Sequence, residues 1–109
     1  MESKTIHQLF EMCQEVAQRE DTTKEQMFDG VQDIYVESCN MLGQKPMTQK
    51  QWECKVKGFQ KNGLPSFPNA SLDDIFAITT TVNTFDDSTN KDILSGIEAM
   101  CVLTLNKQT

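Results

Sequence analysis

The chain has 109 residues and a formal net charge of -6, because 16 acidic residues stand against 10 basic ones. This length predicts a single domain, 1–109, with a core large enough to fold without disulfides or metal ions. No stretch approaches the roughly 18 apolar residues of a membrane span, and residues 1–10 lack a signal-peptide pattern. We therefore expect a cytoplasmic protein that is neither membrane-embedded nor secreted.

Two amphipathic helices are predicted in the first part of the chain. From Lys4 to Arg19, apolar residues recur with the 3.6-residue period of a helix. Thr23 and Gln26 have the spacing of a capping box, which predicts the start of a second helix that ends near Gly43. Gly30 inside that helix is interpreted as a tolerated weak point, with a close helix crossing as the alternative. The predicted apolar faces are Ile6, Leu9, Phe10, Cys13, Val16 and Ala17 in the first helix, and Met27, Phe28, Val31, Ile34, Tyr35, Ser38, Met41 and Leu42 in the second.

A third helix and a linker follow. Thr48 and Gln51 repeat the capping-box spacing, and the helix that they predict stops at Gly63. Its apolar positions have helical spacing and comprise Trp52, Val56 and Phe59. Two of the three prolines of the chain lie in the segment 64–70, where their fixed φ excludes a continuing helix. This segment is therefore predicted to be a linker.

The last third of the chain is predicted to hold two more helices. Ser71 with Asp74 marks the start of the fourth, although its β-branched residues leave a strand over 76–85 as an alternative. The fifth helix has the same ambiguity over 100–105, and the tail 106–109 is expected to fray. The predicted fold class is all-α, a compact bundle of about five amphipathic helices. The alternative is an α+β fold with short strands in the last third.

No catalytic residue, cofactor or metal site is predicted. The sequence lacks GxGxxG, P-loop, HExxH and GxSxG motifs, and its single histidine, His7, has no recognisable catalytic partner. We therefore expect a protein that is not an enzyme. The cysteines lack the spacing of zinc ligands and are expected to be free thiols in a reducing compartment; they are Cys13, Cys39, Cys54 and Cys101.

The segment 86–97 has some features of a calcium-binding loop. Oxygen-bearing side chains occupy alternate positions, but Lys91 stands where the loop needs glycine and Ile97 where it needs a bidentate glutamate. A helix N-cap at Ser88 or Thr89 explains the same residues. The segment is therefore interpreted as the start of the fifth helix.

Charge is segregated along the chain. Residues 1–40 sum to -6, residues 41–69 to +4 and residues 70–109 to -4. Acidic side chains in the first two helices lie away from the apolar faces and must coat a solvent-exposed surface. The first hypothesis is a non-catalytic regulator or inhibitor that binds a basic protein partner, at a site that normally holds nucleic acid. Its candidate partner-binding residues are Glu11, Glu15, Asp29, Asp33 and Glu37.

Two alternatives come from other features of the sequence. The lysine-rich third helix predicts a nucleic-acid-binding regulator, with Lys50, Lys55, Lys57 and Lys61 as its candidate contacts. The absence of arginine from this helix weakens that hypothesis, because arginine suits bidentate base contacts. A homo-oligomeric assembly protein is the second alternative, because methionines suit adaptable interfaces. Its candidate residues are Met27, Phe28, Met41, Met47 and Met100.

Overall fold

Five helices make up the part of the chain that the structure describes. The structure, a computed structural model, describes residues 6–64 and 70–108, and this part of the chain contains no strand. The predicted all-α bundle is confirmed, and the strand alternative is wrong, because residues 76–82 and 100–105 are helical. Most of the predicted linker 64–70 lies outside the described residues. The helices are α1 (Ile6–Gln18), α2 (Lys24–Leu42), α3 (Gln49–Asn62), α4 (Leu72–Val82) and α5 (Asn90–Gln108).

Both predicted capping boxes are present. The Thr23 hydroxyl accepts from the Gln26 backbone N–H at 3.2 Å, and the Gln26 side chain accepts from the Thr23 backbone N–H at 2.9 Å. Thr48 and Gln51 form the same pair of hydrogen bonds at the start of α3, at 3.2 and 2.9 Å. Each box satisfies two backbone donors that a helix start leaves without partners, so these boundaries follow from local sequence.

The start of α5 is a related arrangement. Asp92 accepts from the backbone N–H of Thr89 at 2.8 Å, and the Thr89 hydroxyl accepts from the backbone N–H of Asp92 at 3.3 Å. The helix then continues to Gln108, through positions where the sequence predicts fraying. Thr104 near this end is fully buried, and its hydroxyl donates to the Met100 carbonyl at 2.8 Å. Packing against the core therefore holds the helix as far as Thr104, one turn before its last residues.

The central helix of the bundle is α4. It packs against α2, α3 and α5, while α1 packs against α2 and α5. Eight of its 11 residues are buried, so it lacks a solvent-exposed stripe. The hydroxyls of its buried threonines donate to carbonyls one turn earlier, Thr79 to Ile75 at 2.7 Å and Thr81 to Ala77 at 2.7 Å. These hydrogen bonds let a run of β-branched polar residues remain helical inside the core.

Two glycines mark close helix contacts. A Cβ atom on Gly30 would lie 3.1 Å from the Cys13 sulfur, so Gly30 lies at the contact of α1 with α2. A Cβ atom on Gly96 would lie 2.0 Å from the Thr79 hydroxyl oxygen, at the contact of α5 with α4. Gly30 thus belongs to a helix crossing, the alternative that the sequence leaves open. The close contact of Gly96 with Thr79 was not predicted from the sequence.

Tyr35 connects α2 to the segment that precedes α3. Its ring is 3% exposed and stacks on Phe76 at a centroid distance of 4.2 Å. Its hydroxyl donates to Asp73 Oδ1 at 2.6 Å and accepts from the backbone N–H of Met47 at 2.9 Å. Gln44 Nε2 donates to the same carboxylate oxygen at 3.2 Å. One side chain therefore joins α2, α4 and the α2–α3 connection.

The four cysteines are free thiols, as expected for a chain of this size without a signal-peptide pattern. Burial, together with the nearby Asp33 carboxylate, raises the pKa of Cys13 to about 11. Burial also raises the pKa of Cys101 to about 12 and raises the pKa of Cys39. These three thiols therefore stay protonated at neutral pH, whereas Cys54 lies exposed on α3.

We expect a disulfide reagent such as dithiodipyridine to modify Cys54 rapidly in the folded protein. The three buried thiols should react only through local or global unfolding, because the thiolate is the nucleophile and burial disfavours it. Release of thiopyridone measured by absorbance should show a fast phase of one equivalent. Cys54→Ser should remove that phase, and a fast phase that persists in this variant would contradict the buried positions of the other thiols.

Candidate functional site

A groove with an apolar floor lies between α1 and α2. Its cavity has a volume of about 170 Å³ and reaches the core, where Ile97 of α5 forms part of the floor. Leu9, Met12 and Val16 of α1 line it and follow one another at i, i+3 and i+7, which places them on one side of the helix. Met12 is 44% exposed. We call this feature the α1–α2 groove.

Carboxylates lie along the α2 side of the groove. Asp29 and Asp33 are exposed, stand one helical turn apart and line the groove itself. Glu37 follows after another turn, and it shares a shallow depression with Asp33, Leu9 and Val36. The three acidic residues that the sequence assigns to the second helix therefore form one row beside apolar surface.

The acidic residues of α1 lie next to the same groove. Glu11 and Glu15 are exposed and surround Met12 in a depression on the α1 surface. Met12 lines both this depression and the α1–α2 groove, so the depression that holds Glu11 and Glu15 adjoins the groove at Met12. Asp29 and Asp33 line the groove itself, whereas Glu11 and Glu15 lie further round the α1 helix. We call the surface formed by Glu11, Glu15, Asp29, Asp33 and Glu37, with the groove between them, the acidic α1–α2 face.

No basic side chain of the described residues neutralises this face. Within 6–64 and 70–108, the one salt bridge with an N···O distance of 4.0 Å or less joins Lys55 to Asp74. The field of the carboxylates reaches the groove floor, where Asp33 adds to the effect of burial in raising the pKa of Cys13. The face therefore combines negative potential with accessible apolar surface.

Two side chains of the lysine-rich helix α3 attach it to the rest of the protein. Lys55 Nζ lies 2.7 Å from Asp74 Oδ1, and this hydrogen bond holds the pKa of Asp74 below its ordinary value. Trp52 Nε1 donates to the Thr80 hydroxyl at 2.9 Å, and the Trp52 ring packs edge-on against Phe28 with centroids 6.1 Å apart. Both side chains thus fasten α3 to its neighbours. The other candidate lysines, which are Lys50, Lys57 and Lys61, are exposed along one stripe of α3.

The methionines proposed for a homo-oligomeric interface are distributed between core and surface. Met27 is 1% exposed and Met100 is fully buried, so neither can contact another molecule without unfolding. Met41 and Met47 are half-buried and pack against the core, and the half-buried Phe28 contacts the Trp52 ring. These residues therefore form no continuous exposed apolar surface.

The apolar part of the groove was not predicted. Val16 belongs to the predicted core-facing side of the first helix, and Met12 was assigned to neither side of it. The signal was available, because Leu9, Met12 and Val16 have helical spacing one position away from the row that holds Cys13. The groove itself depends on how far α1 and α2 separate, and only the packed structure determines that distance.

Among the described residues, no helix is long and apolar enough to cross a membrane. The same residues contain no group of three histidine, cysteine, aspartate or glutamate side chains that could hold a metal ion. A scan against protein-family models, a search of curated proteins and a search of solved structures each find no match.

Proposed function

We propose that this protein is a non-catalytic regulator or inhibitor that binds a basic segment of another protein on the acidic α1–α2 face. The observation that carries the proposal is the α1–α2 groove, an apolar cavity bordered by Asp29 and Asp33 with further carboxylates around it. An exposed apolar surface rimmed by polar groups is typical of a protein-binding site. A basic site that otherwise holds nucleic acid is a target of matching charge.

The two parts of the face have different roles in this proposal. Carboxylates attract a cationic partner at long range, which raises the association rate and rejects acidic competitors. Burial of apolar surface in the groove supplies the affinity that keeps the complex together. Binding should therefore weaken with salt mainly through the association rate.

The nucleic-acid alternative has less support. In α3, Lys55 forms an ion pair with Asp74, and Trp52 donates a hydrogen bond to Thr80. The three remaining lysines therefore lack an aromatic side chain on which bases could stack. We therefore favour the acidic face as the binding surface. We also propose a cytoplasmic location, because a protein with four free thiols suits a reducing compartment.

Reversing the charge of the α2 row tests the proposal. The triple variant Asp29→Lys, Asp33→Lys, Glu37→Lys should weaken partner binding at least about tenfold, since like-charge contacts across an interface cost several kcal/mol. Affinity capture from lysate under graded salt washes, with quantification by mass spectrometry, measures the loss. Helical circular dichroism should be unchanged, because Asp29 and Asp33 are exposed and Glu37 lies at the surface.

A matched control changes the same number of charges elsewhere. Asp86→Lys, Asp87→Lys, Glu98→Lys alters exposed residues of the α4–α5 turn and of α5. This variant should retain every partner that the wild type captures. The proposal is wrong if the α2 variant and the control retain the same proteins to the same extent. Retention of the wild type on heparin at low salt would instead favour the exposed lysines of α3.

A further inference from the structure

The size of the α1–α2 groove restricts what can enter it. Pockets for drug-sized ligands have volumes of about 300–1,000 Å³, whereas this cavity has about 170 Å³. An engineered apolar cavity of about 150 Å³ in another protein binds benzene. The groove therefore has the capacity for one phenyl-sized group.

The walls of the groove favour such a group. Met12 and Val16 offer apolar surface on one side, Ile97 closes the floor, and the methionine side chain is flexible enough to adapt to a ring. A side chain anchored in a fully desolvated pocket is the usual centre of a protein interface. The exposed position of Met12 places the entrance at the protein surface.

The carboxylates beside the entrance specify the rest of the ligand. Asp29 and Asp33 are separated by four residues of one helix, or about 6 Å along its axis. A partner helix that carries lysine or arginine at positions four residues apart repeats this distance. Its positive charges can then face both carboxylates while an apolar residue between them enters the groove.

We propose that the α1–α2 groove is an anchor pocket that receives one phenylalanine-sized side chain of a basic amphipathic helix, with Asp29 and Asp33 pairing with the flanking cations. This inference rests on the proposed function and adds the structural class of the bound segment. The matching charge and the volume of the cavity both favour this occupant over an extended acidic or purely polar peptide.

Benzene tests the pocket without any partner. Titration of benzene into the protein, followed by NMR of methyl groups, should shift the signals of Met12, Val16 and Ile97. Val16→Trp fills the cavity and should remove the shifts of Met12 and Ile97. Val102→Trp adds the same ring at an exposed position of α5, where Val102 is 50% exposed, and should leave them intact. Methyl signals that do not move with benzene overturn the inference.

Synthetic peptides test the proposed occupant. A lysine-rich helical peptide of about 16 residues with one central phenylalanine is compared with versions that carry alanine at that position or glutamate in place of lysine. The phenylalanine peptide should bind about tenfold to a hundredfold more tightly than the alanine peptide, as expected for burial of the ring. Val16→Trp should abolish this preference, and the glutamate peptide should not bind.

The outcomes separate this inference from the proposed function. One outcome is equal binding of the phenylalanine and alanine peptides, with both weakened in the Asp29→Lys, Asp33→Lys variant. That result would leave the proposed function intact and overturn the anchor pocket. Benzene binding without binding of either lysine peptide overturns the basic helix as occupant. Concentration-dependent light scattering that Val16→Trp suppresses would identify a second copy of the chain as the occupant and would also overturn the inference.

Discussion

Gly96→Ala should destabilise the protein by about 3 kcal/mol or more, a large part of the stability of a domain of this size. The new Cβ atom would lie 2.0 Å from the Thr79 hydroxyl oxygen, 2.7 Å from its Cγ2 and 2.9 Å from its Cβ. Thr79 is short, buried and hydrogen-bonded to the Ile75 carbonyl, so it cannot rotate away at low cost. The contact is relieved only if α4 and α5 move apart. Urea unfolding followed by circular dichroism measures the change.

The matched control is Gly58→Ala in α3. A Cβ atom at Gly58 meets no atom within 4 Å, so this substitution should stabilise the protein by up to about 1 kcal/mol through helix propensity. Thr79→Ala in the Gly96→Ala background should restore part of the lost stability, because it removes the two atoms nearest to the new methyl group. Equal unfolding midpoints for Gly96→Ala and Gly58→Ala would show that α4 and α5 are not in close contact at this position.

Tyr35→Ala should cost about 3–5 kcal/mol, the range observed when a large buried aromatic side chain is truncated. The substitution removes the ring that stacks on Phe76 and leaves a cavity between α2 and α4. It also removes the hydroxyl that contacts Asp73 and Met47. The same denaturation experiment measures the loss, and a cost below 1 kcal/mol would contradict the buried position of the ring.

Tyr35→Phe separates the hydroxyl from the ring. It should cost about 1–3 kcal/mol, because it keeps the stacking but leaves the Met47 backbone N–H and one carboxylate oxygen with fewer partners. The Met47 amide should also exchange with solvent faster than in the wild type, which NMR detects. Unchanged exchange at Met47 would show that the hydroxyl does not hold the α2–α3 connection.

The candidate site was partly predictable for a simple reason. Charged residues placed away from an apolar helical face must point to solvent, so the sequence identifies Glu11, Asp29 and their neighbours as exposed. Whether the acidic residues of two helices share one surface depends on the rotation of α1 against α2. In the structure, Asp29 and Asp33 line the groove, and the depression beside Glu11 and Glu15 adjoins it at Met12. The periodicity of apolar residues within one helix contains no information about the rotation of α1 against α2.

By itself, the sequence determined that α1, α2 and α3 are helical and where two of them begin. Capping boxes such as Thr23 with Gln26 need only residues three positions apart, so their hydrogen bonds form whatever the rest of the chain does. The secondary structure of the α4 threonines remained ambiguous, because β-branched residues occur in both strands and helices. Burial and the hydrogen bonds of their hydroxyls to carbonyls one turn earlier stabilise the helix. Only the tertiary structure decided that Gly96 faces Thr79, that Trp52 donates to Thr80 and that a groove opens beside Asp29 and Asp33. These features join residues from different helices, and close packing sets their positions through distances that no local pattern encodes.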